Sequence, residues 1–365
     1  MSLFRLWTII HKEFRHVQRD RRLLVLVIVS PAVMLMAFSY LFSFDVSTAR
    51  FAIFDRDRSP LSRALVQALI TDKELIFVGE VGSFEEIRSG MQAGEIKLAL
   101  VIPPGFAAAL EKGRTAEVQL LADGTDAINS STFVAILSAR IGTWAEPYRP
   151  VEIKMPVETR ALVWYNPDLK SSHSMAPALL AIVLILPAMA VALALTREKE
   201  LGSFESLATT PVRASEYVLG KLIPYIVYGL IGAAIAIAVT IFWFKVPLRG
   251  SPLDLAGFII AYLLATLGAA MFFSSFISTQ STALRAVLLL FLVPSFFLTG
   301  IIIPIDPQAR LTSNSLPATH FVVISRGVFL KGLSWPDLGP HVLALLIMGA
   351  TAIALTMITF RKRVG

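Results

Sequence analysis

The sequence contains no cysteine and few charged residues. Among its 365 residues, 16% are Asp, Glu, Lys or Arg, whereas a soluble globular chain carries about 25%. The absence of cysteine excludes disulfide scaffolds, thiolate metal sites, cysteine nucleophiles and iron–sulfur clusters. The shortage of charge excludes a soluble body of this size, because 55% of the residues are hydrophobic and the mean hydropathy is +0.69. The composition therefore indicates an integral membrane protein.

The sequence also lacks the motifs of most enzymes. It has no phosphate-binding loop, since Gly220-Lys221 is followed by Leu222 and lacks the earlier glycine, and neither G-x-G-x-x-G nor G-x-S-x-G occurs. The five histidines are scattered without ligand spacing, so we expect no metal site, no bound cofactor and no catalytic residue. The long apolar runs contain no acid or base that would relay protons, which disfavours an ion-driven transporter.

Six uncharged apolar runs are long enough to cross a bilayer as helices, which takes about 20 residues for a hydrocarbon core of about 30 Å. They are residues 23–44, 176–195, 222–244, 255–277, 286–305 and 342–360. The first run has 22 residues, and a secretory signal has an apolar region of only about 7–15. We therefore interpret it as an uncleaved first span.

The basic residues predict the orientation of the chain. The net charge of +7 by itself suggests a nucleic-acid partner. However, four segments together carry a net charge of +8: the one before the first span and those after the second, fourth and sixth spans. The positive-inside rule assigns these segments to the cytoplasm. We expect both termini in the cytoplasm, with residues 361–365 as a tail, and no nucleic-acid partner.

Residues 45–174 differ in composition from the rest of the chain. They carry a net charge of −3 and alternate short β-rich runs with amphipathic stretches. Strands alternating with helices indicate a compact α/β domain, which the topology places outside the cytoplasm. The acid–base cluster at 55–58 resembles a site, but a turn in which Ser59 or Asp57 caps the next helix explains it better. The final β-rich run is expected at 157–164.

Residues 1–22 predict an amphipathic helix on the cytoplasmic surface of the membrane. The apolar residues at helical spacing are Leu3, Leu6, Trp7, Ile10, Phe14 and Val17. Arg5, Lys12, Arg15 and Arg19 fall elsewhere around the helix. Such a helix lies at the interface, with Trp7 and Phe14 as its aromatic residues and its basic face toward anionic lipid.

The loop after the second span carries a resemblance to a known family. It reads R-E-K-E-L-G-S-F-E-S-L-A-T-T-P at 197–211, with Gly220-Lys221 following. Further tags are R-D-R at 19–21, F-D-R-D at 54–57, I-P-P-G-F at 102–106, D-G-T-D at 123–126, Y-N-P at 165–167 and L-P-A-T-H-F at 316–321. Together these resemble the permease subunits of type-2 ABC exporters, in the bacterial drug-efflux branch with a large periplasmic insert. Two positions depart from the family pattern, Gly202-Ser203 for Gly-Thr and Pro177-Ala178 for Pro-Gly.

The resemblance implies an α-helical integral membrane protein of the bacterial inner membrane, with six transmembrane helices and an α/β extracytoplasmic domain between helices 1 and 2. The implied segments are 1–22 (interface helix), 23–44 (helix 1), 45–174 (α/β domain) and 175–360 (helices 2–6), with a coupling loop at 196–221 and an outer re-entrant region at 306–340. It also implies a separate ABC ATPase subunit, which binds ATP and Mg, and a second permease protomer, identical or paralogous. Whether a periplasmic adaptor also takes part is left open.

The resemblance further implies roles for particular residues. The loop would couple the permease to the ATPase, and the residues with this implied role are Glu198, Gly202, Phe204, Glu205, Leu207 and Pro211. Spans one, two and five would line the translocation pathway, at Met34, Met36, Phe291, Ser295, Phe296 and Thr299. Aromatic rings with a few hydroxyls suit amphipathic, drug-like cargo. The alternatives are export of a lipid, a polysaccharide or an ion, a non-transport envelope sensor or assembly protein, and a membrane enzyme.

Overall fold

The fold is known from a computed structural model, which describes residues 2–42, 49–70, 75–123, 127–148, 165, 170–202, 212–302, 305 and 307–364. The chain divides into two compact units. One combines residues 1–43 with 162–365, and the other is the insert, Phe44–Ala161. The predicted fold class is confirmed, because the first unit is helical and the insert contains a sheet. The β-rich run expected at 157–164 lies outside the described residues.

Among the residues that the structure describes, the helical unit contains six helices that are long and apolar enough to cross a membrane. These spans are Arg21–Leu41, Ser171–Glu200, Ala214–Trp243, Pro252–Ser275, Gln280–Leu298 and Trp335–Phe360, called spans one to six below. An additional N-terminal helix, Leu3–Arg19, precedes span one. Each span except the fifth ends within a few residues of the apolar run that predicts it, and span five ends at Leu298 rather than 305 because Gly300 follows with a positive φ of +74°.

Span two forms the centre of the helical unit. Between Ala176 and Thr196, every residue except Leu193 is buried. The helix is interrupted after Val183 and resumes at Leu186, with Pro187 in the first turn of the second part. Span two therefore packs on all sides against other parts of the unit.

Close helix contacts depend on glycine at two positions. A Cβ atom on Gly232 of span three would lie 2.3 Å from the carbonyl oxygen of Val27 in span one. A Cβ atom on Gly220, near the start of span three, would lie 2.5 Å from Ile9 Cγ2 of the N-terminal helix. Real Cβ atoms do not approach so closely, so these glycines allow both elements to lie directly against span three.

The segment before span six folds as short helices. They are Pro307–Ala309, Arg310–Asn314 and Pro317–Arg326, the last continuing as a π-helical turn at Gly327–Lys331. Pro317, Phe321 and Phe329 of this segment are buried. The region expected to be re-entrant, 306–340, therefore contains helices that pack into the helical unit.

In its described residues, the insert is an α/β fold with one four-stranded sheet. Its strands are β1 (Ala49–Asp55), β2 (Leu75–Glu80), β3 (Leu98–Ile102) and β4 (Gln119–Ala122), in the order β2-β1-β3-β4. The first three pair in parallel and β4 is antiparallel to β3. The intervening helices are Pro60–Ile70, Phe84–Gln92, Phe106–Glu111 and Ala127–Ala145.

The charged turn after β1 is structural. Asp55 Oδ1 accepts hydrogen bonds from the backbone N–H groups of Asp57 and Arg58, and Ser59 Oγ caps the next helix by accepting from Ser62 N at 3.0 Å. Asp57 instead accepts from Gly105 N at 2.7 Å and from Ala107 N, so it caps the helix Phe106–Glu111. Of the two caps proposed from sequence, Ser59 is the correct one.

Candidate functional site

The N-terminal helix lies along the start of span three. Ile9 contacts Gly220, and the ring of Phe14 meets Tyr228 edge-on with centroids 5.4 Å apart. The helix buries Ile9, Ile10, Glu13 and Val17. Leu3 and Trp7, expected on the same apolar face as Ile10 and Val17, are 78% and 65% exposed. The helix therefore has a buried face against span three and a separate exposed apolar patch near its beginning.

A buried cluster of charges joins this helix to spans two and three. Lys221 Nζ lies 3.1 Å from Glu13 Oε2 and 3.2 Å from Glu198 Oε1, and the side chains of Glu13 and Lys221 are fully buried. Lys12 Nζ lies 3.0 Å from Glu198 Oε1 and 3.4 Å from Glu13 Oε1. Tyr217 donates a hydrogen bond to Glu198 Oε2. We call Lys12, Glu13, Glu198, Lys221 and Tyr217 the ion network.

The ion network is electrically balanced. Two cations face two carboxylates, and each buried carboxylate has a cation within 3.2 Å. Removing one buried partner leaves an uncompensated charge, which typically destabilises a protein by about 3–5 kcal/mol. Lys12, at 53% side-chain exposure, is the member in contact with solvent. Although burial lowers the pKa of Lys12, the carboxylates of Glu198 and Glu13 raise it above its ordinary value.

The last turn of span two makes contacts with four different elements. Arg197 pairs with Asp20 at the start of span one, at 2.8 Å, and Glu198 belongs to the ion network. Lys199 Nζ donates to the carbonyl oxygens of Ser274, Ser275 and Ile277 at the end of span four. Glu200 accepts hydrogen bonds from Gln280 at the start of span five. Because successive helical residues are about 100° apart, four consecutive side chains point in four directions.

Two further carboxylates fix helix beginnings nearby. Asp20 accepts from the N–H groups of Arg22 and Leu23, which caps span one. Burial alone raises the pKa of Asp20, but these hydrogen bonds and the Arg197 guanidinium lower it below its ordinary value. Glu216 accepts hydrogen bonds from Arg213 N at 3.0 Å and from Ser2 N at 2.6 Å. Ser2, which directly precedes the N-terminal helix, is therefore held at the start of span three.

The coupling residues expected from the sequence fall into three groups. Glu198 is enclosed, with 8% side-chain exposure, and its carboxylate forms an ion pair with Lys12 within the chain, so its role in coupling stays a prediction. Gly202 is exposed just after the end of span two and has a φ of +69°. Phe204, Glu205, Leu207 and Pro211 lie outside the described residues. Their role in coupling stays a prediction.

The expected pathway residues lie on spans one and five. Phe296 packs edge-on against Phe38 of span one, with centroids 5.1 Å apart, and also contacts Phe42. Met34, Met36 and Phe296 are half-buried, whereas Phe291, Ser295 and Thr299 are buried. The hydroxyls of Ser295 and Thr299 donate to carbonyl oxygens one turn earlier in their own helix, at 2.5 Å each. In this arrangement both hydroxyls bond within their own helix, and the aromatic cluster joins the two spans.

At the other end of the bundle, Arg326 joins three segments. Its guanidinium donates to the carbonyl oxygens of Ser174 at 3.1 Å, Gly300 at 3.0 Å and Ile301 at 3.3 Å. Arg326 lies in the helix before span six, while its acceptors belong to the start of span two and the residues after span five. One side chain therefore holds the short helices against the ends of two spans.

Within the part of the chain that the structure describes, no group of three or more His, Asp or Glu side chains is arranged to hold a metal ion. The ion pairs and helix caps around the ion network join the N-terminal helix to the ends of spans one, two and three.

Comparison with known proteins gives a consistent result. A family profile described as "ABC-2 family transporter protein" matches residues 21–358. The chain is 30% identical to the probable multidrug ABC transporter permease YbhS of Escherichia coli strain K12, over 96% of this chain and 95% of that protein. It is 26% identical to the probable multidrug ABC transporter permease YbhR, over 99% of both chains. It is 25% identical to the inner membrane transport permease YhhJ of the same strain, over 97% of this chain and 96% of that protein.

Proposed function

The chain belongs to the ABC-2 family of transporter proteins, and from this premise we propose that it is the permease subunit of an ATP-driven exporter. The six long apolar helices in the described part of the chain support a multi-pass membrane protein. The proposed location is the bacterial inner membrane, which the name of the YhhJ relative supports. The distribution of basic residues supports an orientation with both termini in the cytoplasm and the insert on the opposite side.

The contacts of residues 197–200 carry the proposal. A permease driven by a separate ATPase must convert a displacement at one surface into movement of several spans. Only two residues separate the last turn of span two from the 203–211 segment. The four charged side chains of this turn contact the ends of spans one, four and five and take part in the ion network. A displacement of this turn would therefore act on most of the bundle at once, which is the property a coupling element requires.

The ion network would make the N-terminal helix move together with spans two and three. Through Glu13 and Lys221 this helix is joined to span three, and through Lys12 and Glu198 it is joined to span two. We propose that the ATPase subunit docks on the 203–211 segment, with Phe204, Glu205 and Leu207 as contacts and Pro211 ending the segment. In this scheme Glu198 is a positioning residue, which holds the last turn of span two in the bundle.

The proposed cargo is an amphipathic small molecule. Two relatives are named as probable multidrug permeases, and the contact between Phe296, Phe38 and Phe42 provides adaptable aromatic surface between spans one and five. Two permease protomers would form the pathway between them, and ATP with Mg would bind only to the ATPase subunits. Release of cargo would follow when the two protomers separate at the end that carries Arg326.

The experiment is ATP-dependent transport by the reconstituted complex. The chain is co-expressed and co-purified with a candidate ABC ATPase subunit and placed in proteoliposomes, and movement of ethidium, an amphipathic dye, is followed by fluorescence. Transport is expected only with ATP, and not when the ATPase carries a substitution that abolishes hydrolysis. An ATPase that is stimulated by a lipid or a polysaccharide precursor, and not by the dye, would support the alternative cargo. Failure of any ATPase to co-purify would contradict the proposal.

A further inference from the structure

A basic groove lies beside the ion network, where the N-terminal helix meets span one. It has a volume of about 800 Å³ and is bounded by the end of the N-terminal helix, the start of span one and the last turns of span two. Four arginines line it, Arg19, Arg21, Arg22 and Arg197. Asp20 is the one acid among the lining residues, so the groove has an excess of three positive charges.

The positive charge of the groove is largely uncompensated by the chain. Asp20 is engaged, because it pairs with Arg197 and caps the start of span one. Arg19, Arg21 and Arg22 are exposed, and none of their guanidinium groups has a partner among the described residues. Three free guanidinium groups beside one groove form a strong site for an anion, since each can bind two oxygens of a phosphate.

The wall of the groove is apolar. Leu23, Leu193 and Ala194 line it on the side of spans one and two. Leu193 is the partly exposed residue in the otherwise enclosed stretch of span two. Further along span one, one and two turns beyond Arg21, Val25 and Val29 are 49% and 43% exposed. A ligand that fits has an anionic group at the arginines and a hydrocarbon part that continues along span one.

We propose that this groove binds the headgroup of an anionic phospholipid such as phosphatidylglycerol. The arginines lie at the ends of apolar spans, which is the depth at which the phosphate groups of a leaflet lie. The apolar wall favours a lipid over a free phosphate ion, because a phosphate ion has nothing to place against Leu23 and Leu193. The bound headgroup connects the end of the N-terminal helix with span two.

The test uses the full chain in detergent and native mass spectrometry. The protein is equilibrated with equimolar phosphatidylglycerol and phosphatidylcholine, and the bound lipids are counted. The wild-type chain is expected to prefer phosphatidylglycerol by about tenfold or more, because its headgroup carries a net negative charge, whereas the choline of phosphatidylcholine cancels the charge of the phosphate. The variant Arg19→Gln/Arg21→Gln/Arg22→Gln is expected to lose this preference, and each single substitution to reduce it two- to fivefold.

The matched control is Arg249→Gln/Arg310→Gln/Lys331→Gln, which removes the same charge from exposed residues outside the groove. It is expected to keep the preference. An equal loss in both triple variants would overturn the proposal, since the preference would then reflect overall charge. In a further arm, inorganic phosphate is added at the concentration of the lipid. Displacement of phosphatidylglycerol by it would show a site for free phosphate and would also overturn the proposal. Neither result depends on transport.

Discussion

Glu13 and Lys221 form an ion pair in which both side chains are fully buried, with Glu13 Oε2 and Lys221 Nζ 3.1 Å apart. Glu13 belongs to the N-terminal helix and Lys221 to span three, 208 positions away in the sequence. A buried pair of this kind adds little net stability over apolar residues, but it penalises any arrangement that separates the partners. The pair therefore makes the N-terminal helix follow span three.

The pair predicts a non-additive response to substitution. Lys221→Met leaves Glu13 and Glu198 with only the half-exposed Lys12, and the free energy of unfolding is expected to fall by about 3–5 kcal/mol. Adding Glu13→Gln restores charge balance and should recover part of that loss. Thermal and denaturant unfolding of the detergent-solubilised chain measure the loss in Lys221→Met and the recovery in the double variant. Lys12→Met is the control, with an expected loss of about 1 kcal/mol. A double variant as unstable as the sum of the single variants would show that the pair is not coupled.

Close packing between spans one and three predicts that Gly232→Ala is destabilising. The added Cβ atom would lie 2.3 Å from the Val27 carbonyl oxygen, which is backbone and cannot rotate away. Overpacking of this kind typically lowers stability by about 1–3 kcal/mol. Gly142→Ala in the helix Ala127–Ala145 is the control, because no atom lies within 4 Å of its Cβ position and alanine favours the helix. If both variants unfold at the same temperature, spans one and three do not pack as described.

Substitution of Arg326 is expected to reduce stability locally, at the end of the bundle opposite the ion network. Arg326→Gln removes the hydrogen bonds to Ser174, Gly300 and Ile301, and we expect a loss of about 2–4 kcal/mol because three carbonyl oxygens lose a charged donor. Hydrogen exchange of residues 299–302 should accelerate in this variant. Arg310→Gln, which alters an exposed side chain of the preceding short helix, should leave that exchange unchanged. Equal exchange in the two variants would rule out the proposed role of Arg326.

The insert is expected to lose stability in acid through Asp57. Burial alone raises the pKa of Asp57, but hydrogen bonds from Ser59 and from the backbone of Ala107 and Gly105 lower it below its ordinary value of 3.8. A carboxyl group with a lowered pKa stabilises the fold above its ordinary pKa, and this contribution is lost as the pH falls through the lowered value.

Asp57→Ala should reduce the stability of the insert by about 1 kcal/mol at pH 7, as loss of a helix cap does, and should remove part of its acid sensitivity. Asp57→Asn keeps an oxygen that can cap and should be milder at pH 7. Limited proteolysis of the full chain, read at cleavage sites within Phe44–Ala161, measures both effects. An unchanged cleavage rate in Asp57→Ala would contradict the capping role.

The six spans could be predicted from the sequence because uncharged apolar runs have few alternatives to a membrane helix. The charged turns that extend some of the spans beyond these runs could not be predicted, because they depend on contacts with other elements. Span two continues to Glu200 since each charged residue of its last turn has a partner on another element. The family resemblance was also confirmed, because its motifs are spread over the whole chain.

The ion network was missed, although a signal for it exists. Glu13 stands three residues after Ile10 and four before Val17, on the buried side of an amphipathic helix, where a carboxylate requires a cation. Lys221 directly precedes an apolar run. That Glu13 and Lys221 pair with each other follows from the packing of the N-terminal helix on Gly220. This packing cannot be predicted from the sequence of either segment alone. The acceptors of Arg326 were hidden for the same reason, since they are backbone carbonyls of distant segments.

The measurement that tests the proposed function most directly is ATP-dependent ethidium transport by the chain and its ATPase, compared with the same complex carrying Phe204→Ala/Glu205→Arg. We expect the wild-type complex to transport the dye with ATP. The variant should unfold at the wild-type temperature, and its transport should fall at least about tenfold, the effect of losing about 1.4 kcal/mol of coupling. Full transport by the variant would contradict coupling through the loop, and absence of ATP-dependent transport by the wild-type complex would contradict the function itself.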